Sequence, residues 1–542
     1  MFTLLSVCVA SVSFAAPFQG YKLSGPMTPS GDVRSHAVSP DGKRVVYLAD
    51  QDVDEIVELW SVPTSGGSPV QLNGPLVSGG DVTQFRIVPG STTVVYLADQ
   101  ESDGHGELYR VPIGGGAAVK LNPPLPVDHG NIADFEVSPD GTMVVYAGLQ
   151  EEFLDAFFVN HLYSIAITGG TPILLDGVFL NTGYGASQFV ISPDSSRVVF
   201  QLVSDGRPQF YTPYVDLYSV PIAGGAVAEL CDSTCLAFHV TPDSSHVILT
   251  ANEDTPSLYE LYSVPIDGGP RTKLSPQLGG GYVPELSWCP FASCSGYPPS
   301  FTDSWSRISA DSSRVVFTAR ESAGSLRELY SASVAGGTPT KLNVPPAGLD
   351  ISDGFEITPD SSSAVYVGPR AGGGNAVYRV PIAGGASAEL NGALVSGGSV
   401  MAHAESPDGS TVVYVADQDA NDVFELYRVP IGGGAPVKLN PPLVAGGDVL
   451  AVGLAISADS RTVVYYADQD TDGRNELFRA PLSLGFGARK LNGPIVTGGF
   501  VGPWILTPDS RAVVYMGDQD TNDVVELYAS PLVRSPRRSG PP

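Results

Sequence analysis

An all-β propeller of about ten four-stranded blades is the fold this sequence predicts, on three observations. A Ser/Thr-Pro-Asp turn recurs along the chain, and β-branched or aromatic runs follow one another at intervals of roughly ten residues. The two chain ends carry complementary pieces of the repeat. No stretch sustains the apolar period of a helix.

Aligned on the turn, ten units appear, marked by Asp41, Asp140, Asp194, Asp243, Asp311, Asp360, Asp408, Asp459 and Asp509, with Gly90 in the same place in the second unit. The spacing is 48 to 54 residues, except for 68 between Asp243 and Asp311, where an insertion carries Cys289 and Cys294. Each element has a local reason. "ADFEVSPDG" (Ala133 to Gly141) is a strand running into a turn in which Pro presets φ and Gly closes the bend. "TMVVYA" (Thr142 to Ala147) has the β-branched and aromatic content of a second strand. "ELYRVPI" (Glu107 to Ile113) is a third strand, and a Gly-Gly turn leads into a fourth, "AVKLN" (Ala118 to Asn122). Four short strands in a repeat of this length are the pattern of a propeller blade.

The combination of "SPDG", "VVY", "ELYRVP" and "GG...KLN" resembles the Pro-Asp variant of the WD-type repeat in TolB-like β-propellers, over about residues 18 to 533. That resemblance implies the fold and leaves function open, because such propellers serve as scaffolds, as lyases and as the propeller halves of peptidases. The middle units depart from the pattern, with "GLQEEFLDAFFVN", "LVSDGRPQFYTPYV" and "GPRAGGGNA" where others carry a DQD loop.

"GYKLSGPMTPSGDV" (Gly20 to Val33) matches a fourth strand and its following loop, and the last unit stops after its third strand, "ELYASPL" (Glu526 to Leu532). Pairing Lys22-Leu23-Ser24 with Leu527-Tyr528 would close a single ring and remove the exposed sheet edges that invite aggregation. Two five-bladed rings are the alternative. Their boundary would fall between Asp267 and Pro270, a turn like every other between third and fourth strands, so one ring is expected. The domain organisation is then a signal peptide at 1–16, the propeller at 17–533 and a disordered tail at 534–542.

Acidic residues outnumber basic ones 57 to 29, for a net charge of -28. Such a surface repels phosphate backbones, which argues against nucleic acid as a partner, and suits divalent cations or basic partners. The N-terminal "MFTLLSVCVASVSFAAPFQG" has the apolar run and small-residue exit, near Ala15 or Ala16, of a signal peptide, without the usual leading Lys or Arg. A secreted, periplasmic or cell-surface location follows, and no later stretch reaches the ~20 apolar residues of a membrane helix. With Cys8 removed, Cys231, Cys235, Cys289 and Cys294 remain, an even set suited to disulfides in an exported chain. The expected pairs are Cys231–Cys235 and Cys289–Cys294, with a cross-pairing such as Cys231 to Cys289 left open. The CxxC spacing of a zinc knuckle is absent.

The most chemically suggestive stretch is "YADQDTDGRNELF" (Tyr466 to Phe478), where Asp468, Asp470 and Asp472 alternate before Gly473. Related loops hold Asp50, Asp52 and Asp54, Asp417 and Asp419, and Asp518 and Asp520. Alternating carboxylates in a Gly-containing turn can converge on calcium, and blade 9 matches best. Against a helix-loop-helix site, Arg479 stands where a bidentate Glu belongs. The competing reading is a hairpin loop whose Asp and Asn side chains bond to nearby backbone. These loops join second to third strands, so they share a face with the fourth-to-first loops bearing Asp32, Asp81 and Asp448. One face is therefore acidic over units eight, nine, ten, one and two.

His36 and His403 occupy the place of Phe85, Phe135, Phe189, Phe355 and Trp504 in other units, which marks a packing position. His239 is one residue off that register, nearer the channel. No Gly-x-Ser-x-Gly elbow occurs. The expected function is therefore a non-enzymatic binding scaffold whose acidic face holds a protein, glycan or cation. The alternative is a polysaccharide lyase or hydrolase with a site, including His239, near the central channel.

Overall fold

The computed structural model describes residues 20–126, 130–150, 159–179, 184–204, 215–255, 258–283, 306–343, 350–351, 354–483 and 487–532. The expected signal peptide, the C-terminal tail, Cys289 and Cys294 lie outside these residues. Ten antiparallel sheets make the architecture. In blade 1 the strands Val33–Val38, Arg44–Ala49, Glu58–Pro63 and Val70–Gln71 bond in sequence order, and blades 2 to 9 repeat that order. A 3-10 turn at Gly177–Phe179 is the only helical element among the described residues.

Ten hydrophobic clusters each straddle two consecutive blades. Leu261 of blade 5 shares a cluster with Phe317 of blade 6, and Val514 and Leu527 of blade 10 share one with Val45 and Tyr47 of blade 1. Two five-bladed rings would have required blade 5 to pack back on blade 1. A single ten-bladed ring is what forms. In most blades the second-strand aromatic stacks on a third-strand aromatic, as Tyr96 does on Tyr109 at 5.4 Å between centroids, whereas blade 5 sets Leu249 opposite Tyr262.

The ring closes with strands from both chain ends. Tyr21 and Lys22 pair with Ala529 and Tyr528, and the Leu23 amide donates to the Leu527 carbonyl at 2.7 Å. The repeated "KLN" explains the match. In blade 8 the Leu439 side chain is fully buried, Lys438 bonds Glu425 at 2.5 Å, and the Asn440 carboxamide accepts the Leu426 amide at 2.8 Å. In the closing strand Lys22 pairs with Glu526, Leu23 is buried, and the Ser24 hydroxyl accepts the Leu527 amide at 3.2 Å. The N-terminal segment is the fourth strand of blade 10.

On the opposite face the Pro-Asp turns are stitched together. The Asp140 amide donates to Ser195 Oγ of the next blade at 3.0 Å, and Asp194 does the same to Ser244. Ser195 and Ser244 sit at φ of 62° and 60°, the left-handed region that costs a non-Gly residue. The inter-blade hydrogen bond offsets that strain, which is why Ser takes the place Gly holds in "SPDG". In blade 6 the first strand is split into Gly280–Tyr282 and Ser306–Ile308, both paired with Arg314–Ser322, and the long insertion lies between them.

Closure makes a measurable claim. Leu23→Ala and Leu121→Ala remove equivalent buried side chains, and each should cost about 2–5 kcal/mol in chemical denaturation. Only Leu23→Ala loosens a strand joined to its blade by no covalent turn. Concentration-dependent association in light scattering is therefore expected for Leu23→Ala and not for Leu121→Ala.

Candidate functional site

The acidic loops fall on one face, as their place between second and third strands requires, but their carboxylates divide into two groups. The first Asp of each loop is buried and spent on backbone. Asp468 accepts the Asp448 amide at 2.5 Å with one oxygen and the Gly473 amide at 2.8 Å with the other. Asp417 takes the amides of Ser399 and Asp422 at 2.5 and 3.1 Å, and Asp518 takes those of Phe500 and Asp523. Asp50 takes the Asp32 amide at 2.6 Å and Arg34 at 3.1 Å. The following Gln is buried as well, with Gln418 Oε1 accepting Tyr414 Oη at 2.7 Å.

Asp32, Asp81 and Asp448 lie on this face, yet each turns its carboxylate to the preceding blade. They accept the amides of Val525, Val57 and Phe424 at 2.6, 2.6 and 2.8 Å. Each of these residues thus bonds the blade before it with its side chain and the blade it enters with its amide. Asn131, Asp350 and Ser399 hold the same place toward Gly106, Arg327 and Asn375. The sequence signal was an Asp, Asn or Ser at or just before the first strand of blades 1, 2, 3, 7, 8 and 9, legible only once the blades are set side by side.

The remaining loop carboxylates are exposed. Asp470 and Asp419 pair with Lys490 and Lys438 at 2.9 and 2.8 Å. Asp52, Asp54, Asp472 and Asp520 are exposed and make no salt bridge among the described residues. Calcium at blade 9 would have to draw Asp468 off two amides, and no group of three or more His, Cys, Asp or Glu gathers for a metal among the described residues. The donor set therefore fits calcium poorly. Asp468→Ala should cost about 1–3 kcal/mol by leaving two part-buried amides without their acceptor, while Asp470→Ala should cost under about 1 kcal/mol. A melting curve raised by millimolar calcium, and restored to its calcium-free value in Asp470→Asn, would show instead that the ion displaces those amides.

The structure places Cys231 and Cys235 in a disulfide joining the fourth strand of blade 4 to the first strand of blade 5.

The histidines sit where packing was expected. His36 and His403 are held neutral, with pKa values lowered to about 4 by burial. His239, on the first strand of blade 5, is lowered to about 4 by burial and then by Arg307. It begins a strip of titratable side chains along the first strands of blades 5 to 8. Arg307 of blade 6 lies 6.0 Å from the centroid of the Phe355 ring, beside Glu356 of blade 7, which neighbours Glu405 of blade 8.

Glu405 is the anomaly of that strip. The residue before the turn is apolar in the other nine blades: Val38, Ile87, Val137, Ile191, Val240, Ile308, Ile357, Ile456 and Leu506. Both Glu405 oxygens are buried without a hydrogen bond, and burial, with Glu356 and Asp360 nearby, pushes the carboxyl up to about 8 despite Arg379. A folded-state pKa above the unfolded value near 4.5 means that this stabilising contribution is complete below about pH 4.5. It is lost as pH rises toward about 8. Glu405→Ile should flatten that decline and raise stability at pH 8 by about 1–4 kcal/mol, measured by urea titration. An unchanged pH profile would place the titration elsewhere.

A second departure shapes a cavity. In blade 9, Val449 lies opposite Ala467 and Ala455 opposite Val464, so the first strand spans six steps against three on its partner, a wider bulge than the one-residue shift of blades such as 1, 2 and 8. Gly453 sits in that bulge at φ 66°, and a Cβ there would meet the Tyr466 ring at 2.7 Å. Tyr466 reaches past it to donate to the Gly502 carbonyl and meets Trp504 edge-on at 6.4 Å. A concavity of about 410 Å³ opens between the first strands of blades 9 and 10, lined by Leu454, Tyr466, Trp504, Ile505 and Leu506. Met401, Val452, Phe500 and Ile505 are exposed on this wall of blades 8 to 10. The doubled tyrosine of "VVYYADQD" was the available signal.

These features define a closed ten-bladed β-propeller with one acidic face and an apolar pocket on its inner wall. No protein-family model matches the chain, and no curated protein matches it. Among solved structures it is similar to a eukaryotic initiation factor at 11% identity and TM-score 0.42, covering 77% of this chain and 90% of the other. A prolyl endopeptidase is similar at 12% identity and TM-score 0.38, with 73% and 55% covered. A putative TolB from Agrobacterium tumefaciens is similar at 15% identity and TM-score 0.28, with 56% and 92% covered. No helix among the described residues is long and apolar enough to cross a membrane.

Proposed function

We propose that this protein is an exported, non-catalytic binding scaffold that presents the acidic face of blades 8, 9, 10, 1 and 2 to a cationic partner. The observation that carries this reading is the division of carboxylates: the buried ones hold the fold, and the exposed ones are left over on a single contiguous arc. Carboxylates that stabilise nothing are free to set the field at a binding face. The signal-like N-terminus and the Cys231–Cys235 disulfide support export, to the cell surface, periplasm or medium.

The test uses poly-lysine as the probe, with poly-glutamate and dextran as controls. Surface plasmon resonance should show poly-lysine binding that falls with added salt. The Asp52→Asn, Asp54→Asn, Asp472→Asn and Asp520→Asn combination should weaken it at least several-fold. Equal binding by this variant would remove the acidic arc as the site, and dextran binding would favour a glycan partner.

The strip of titratable side chains from His239 to Glu405 supports a second reading, a polysaccharide lyase or hydrolase acting at the channel. Cleavage in a polysaccharide screen with added divalent metals, lost in His239→Ala, would establish it over the first.

A further inference from the structure

We propose that Asp52, Glu58 and Trp60 of blade 1 form a cradle for a lysine ammonium supplied by a partner polypeptide. It rests on the scaffold reading and deepens it by naming an anchor within the acidic face. The repeat itself shows what such a cradle holds. In blades 2, 5, 8 and 9 a fourth-strand Lys places its ammonium between a loop carboxylate and the Glu that opens the third strand. Lys438 reaches Asp419 at 2.8 Å and Glu425 at 2.5 Å, and Lys490 reaches Asp470 at 2.9 Å and Glu476 at 2.6 Å. An aromatic ring of the third strand is the remaining wall. The two ammonium groups lie 5.7 Å from the Tyr427 centroid and 5.9 Å from the Phe478 centroid, within cation–π range.

Blade 1 keeps these walls and lacks the cation. Gln71 stands opposite Trp60 in the ladder, as Lys438 stands opposite Tyr427 and Lys490 opposite Phe478. Its neutral carboxamide donates to Glu58 Oε1 at 3.0 Å. Neither Asp52 nor Glu58 has a salt bridge among the described residues. Burial raises the Glu58 carboxyl above its usual range, and the Asp52 charge adds to the effect. Where Tyr holds the aromatic place its hydroxyl donates to the strand Glu, as Tyr427 does to Glu425 at 2.9 Å. Trp60 is only 6% exposed, and its indole N–H faces Glu58 without closing a hydrogen bond. The cradle is therefore built, charged and incompletely satisfied.

The occupant follows from the sister blades. An ammonium divides its donors between two separate carboxylates, whereas the planar Arg fork matches a single one. Calcium would want roughly six to eight oxygens, more than two carboxylates offer. Asp52 and Gln71 are exposed on the outer edge of the blade, so an arriving ammonium can take Glu58 Oε1 as Gln71 swings into water.

The probe is Nα-acetyl-lysine amide, with Nα-acetyl-norleucine amide as the uncharged control, each read by saturation-transfer NMR on the full chain. The lysine probe should give a signal several-fold stronger than the control, and equal signals would overturn the cradle. Gln71→Lys supplies the missing ammonium from the chain itself. It should raise the melting temperature and bring the lysine signal down to the norleucine level. Unchanged lysine binding in Gln71→Lys would overturn the cradle, while poly-lysine binding to the acidic arc would stand as a separate result. Adding Lys438→Gln to that variant empties the blade 8 cradle and should restore lysine binding, with a melting curve confirming the fold. No restoration would overturn the claim that the vacated place, rather than general surface charge, selects the ligand. Lysine-amide binding without poly-lysine binding would keep the cradle and remove the wider arc.

Discussion

Everything in this molecule depends on ten wedges closing into one ring. A four-stranded sheet buries both faces only if a neighbour stands on each side, so an open array would leave two apolar blade faces in water. The pairing of Lys22 and Leu23 with Leu527 and Tyr528 supplies the last contact. It differs from the other nine blades in one respect: no turn links the outer strand to the rest. Local unfolding in such a ring begins where covalent continuity is absent, because only there can a strand leave without dragging a hairpin with it. The closing strand copies the Lys-Glu pair, buried Leu and capping side chain of an internal blade, and so holds the seam with the same interactions.

The repeated carboxylates follow from the same constraint. Loops that cross from the outer strand of one blade to the inner strand of the next leave amides stranded over a seam, and buried amides need acceptors. Asp32, Asp81 and Asp448 accept from the blade behind, and Asp50, Asp99 and Asp468 accept from the loop itself. A motif that reads as calcium chemistry is thus explained by amide satisfaction for its first member. The later members, which accept nothing from the backbone in this way, set the charge of the face.

The fold was legible because periodic strands and turn residues are local signals repeated ten times, and even the closing strand could be matched by its "KLS". The burial of His36 and His403 was legible from register alone. The inter-blade hydrogen bonds were not, since Ser195 and Asn131 acquire meaning only from residues 55 and 25 positions away in the neighbouring blade. Nor was the pocket. The extra residues around Gly453 look like ordinary loop variation until strand pairing shows that Ala451 and Val452 have no partner place in the ladder.

In a repeat protein the consensus positions are those the ring cannot do without, so binding specificity has room to develop only where the consensus fails. Blade 9 fails it by widening its first strand, and blade 8 fails it by placing Glu405 at an apolar seam position. Both departures cost stability in themselves. The bulge gives up ladder hydrogen bonds, and Glu405 sits buried without a partner. Neither helps to close the ring, and both stand on the inner wall within blades 8 to 10, the sector where exposed apolar side chains and unpaired loop carboxylates also gather. A costly departure that does not serve the fold marks where the consensus of the repeat is relaxed, and in this ring both such places fall in neighbouring blades.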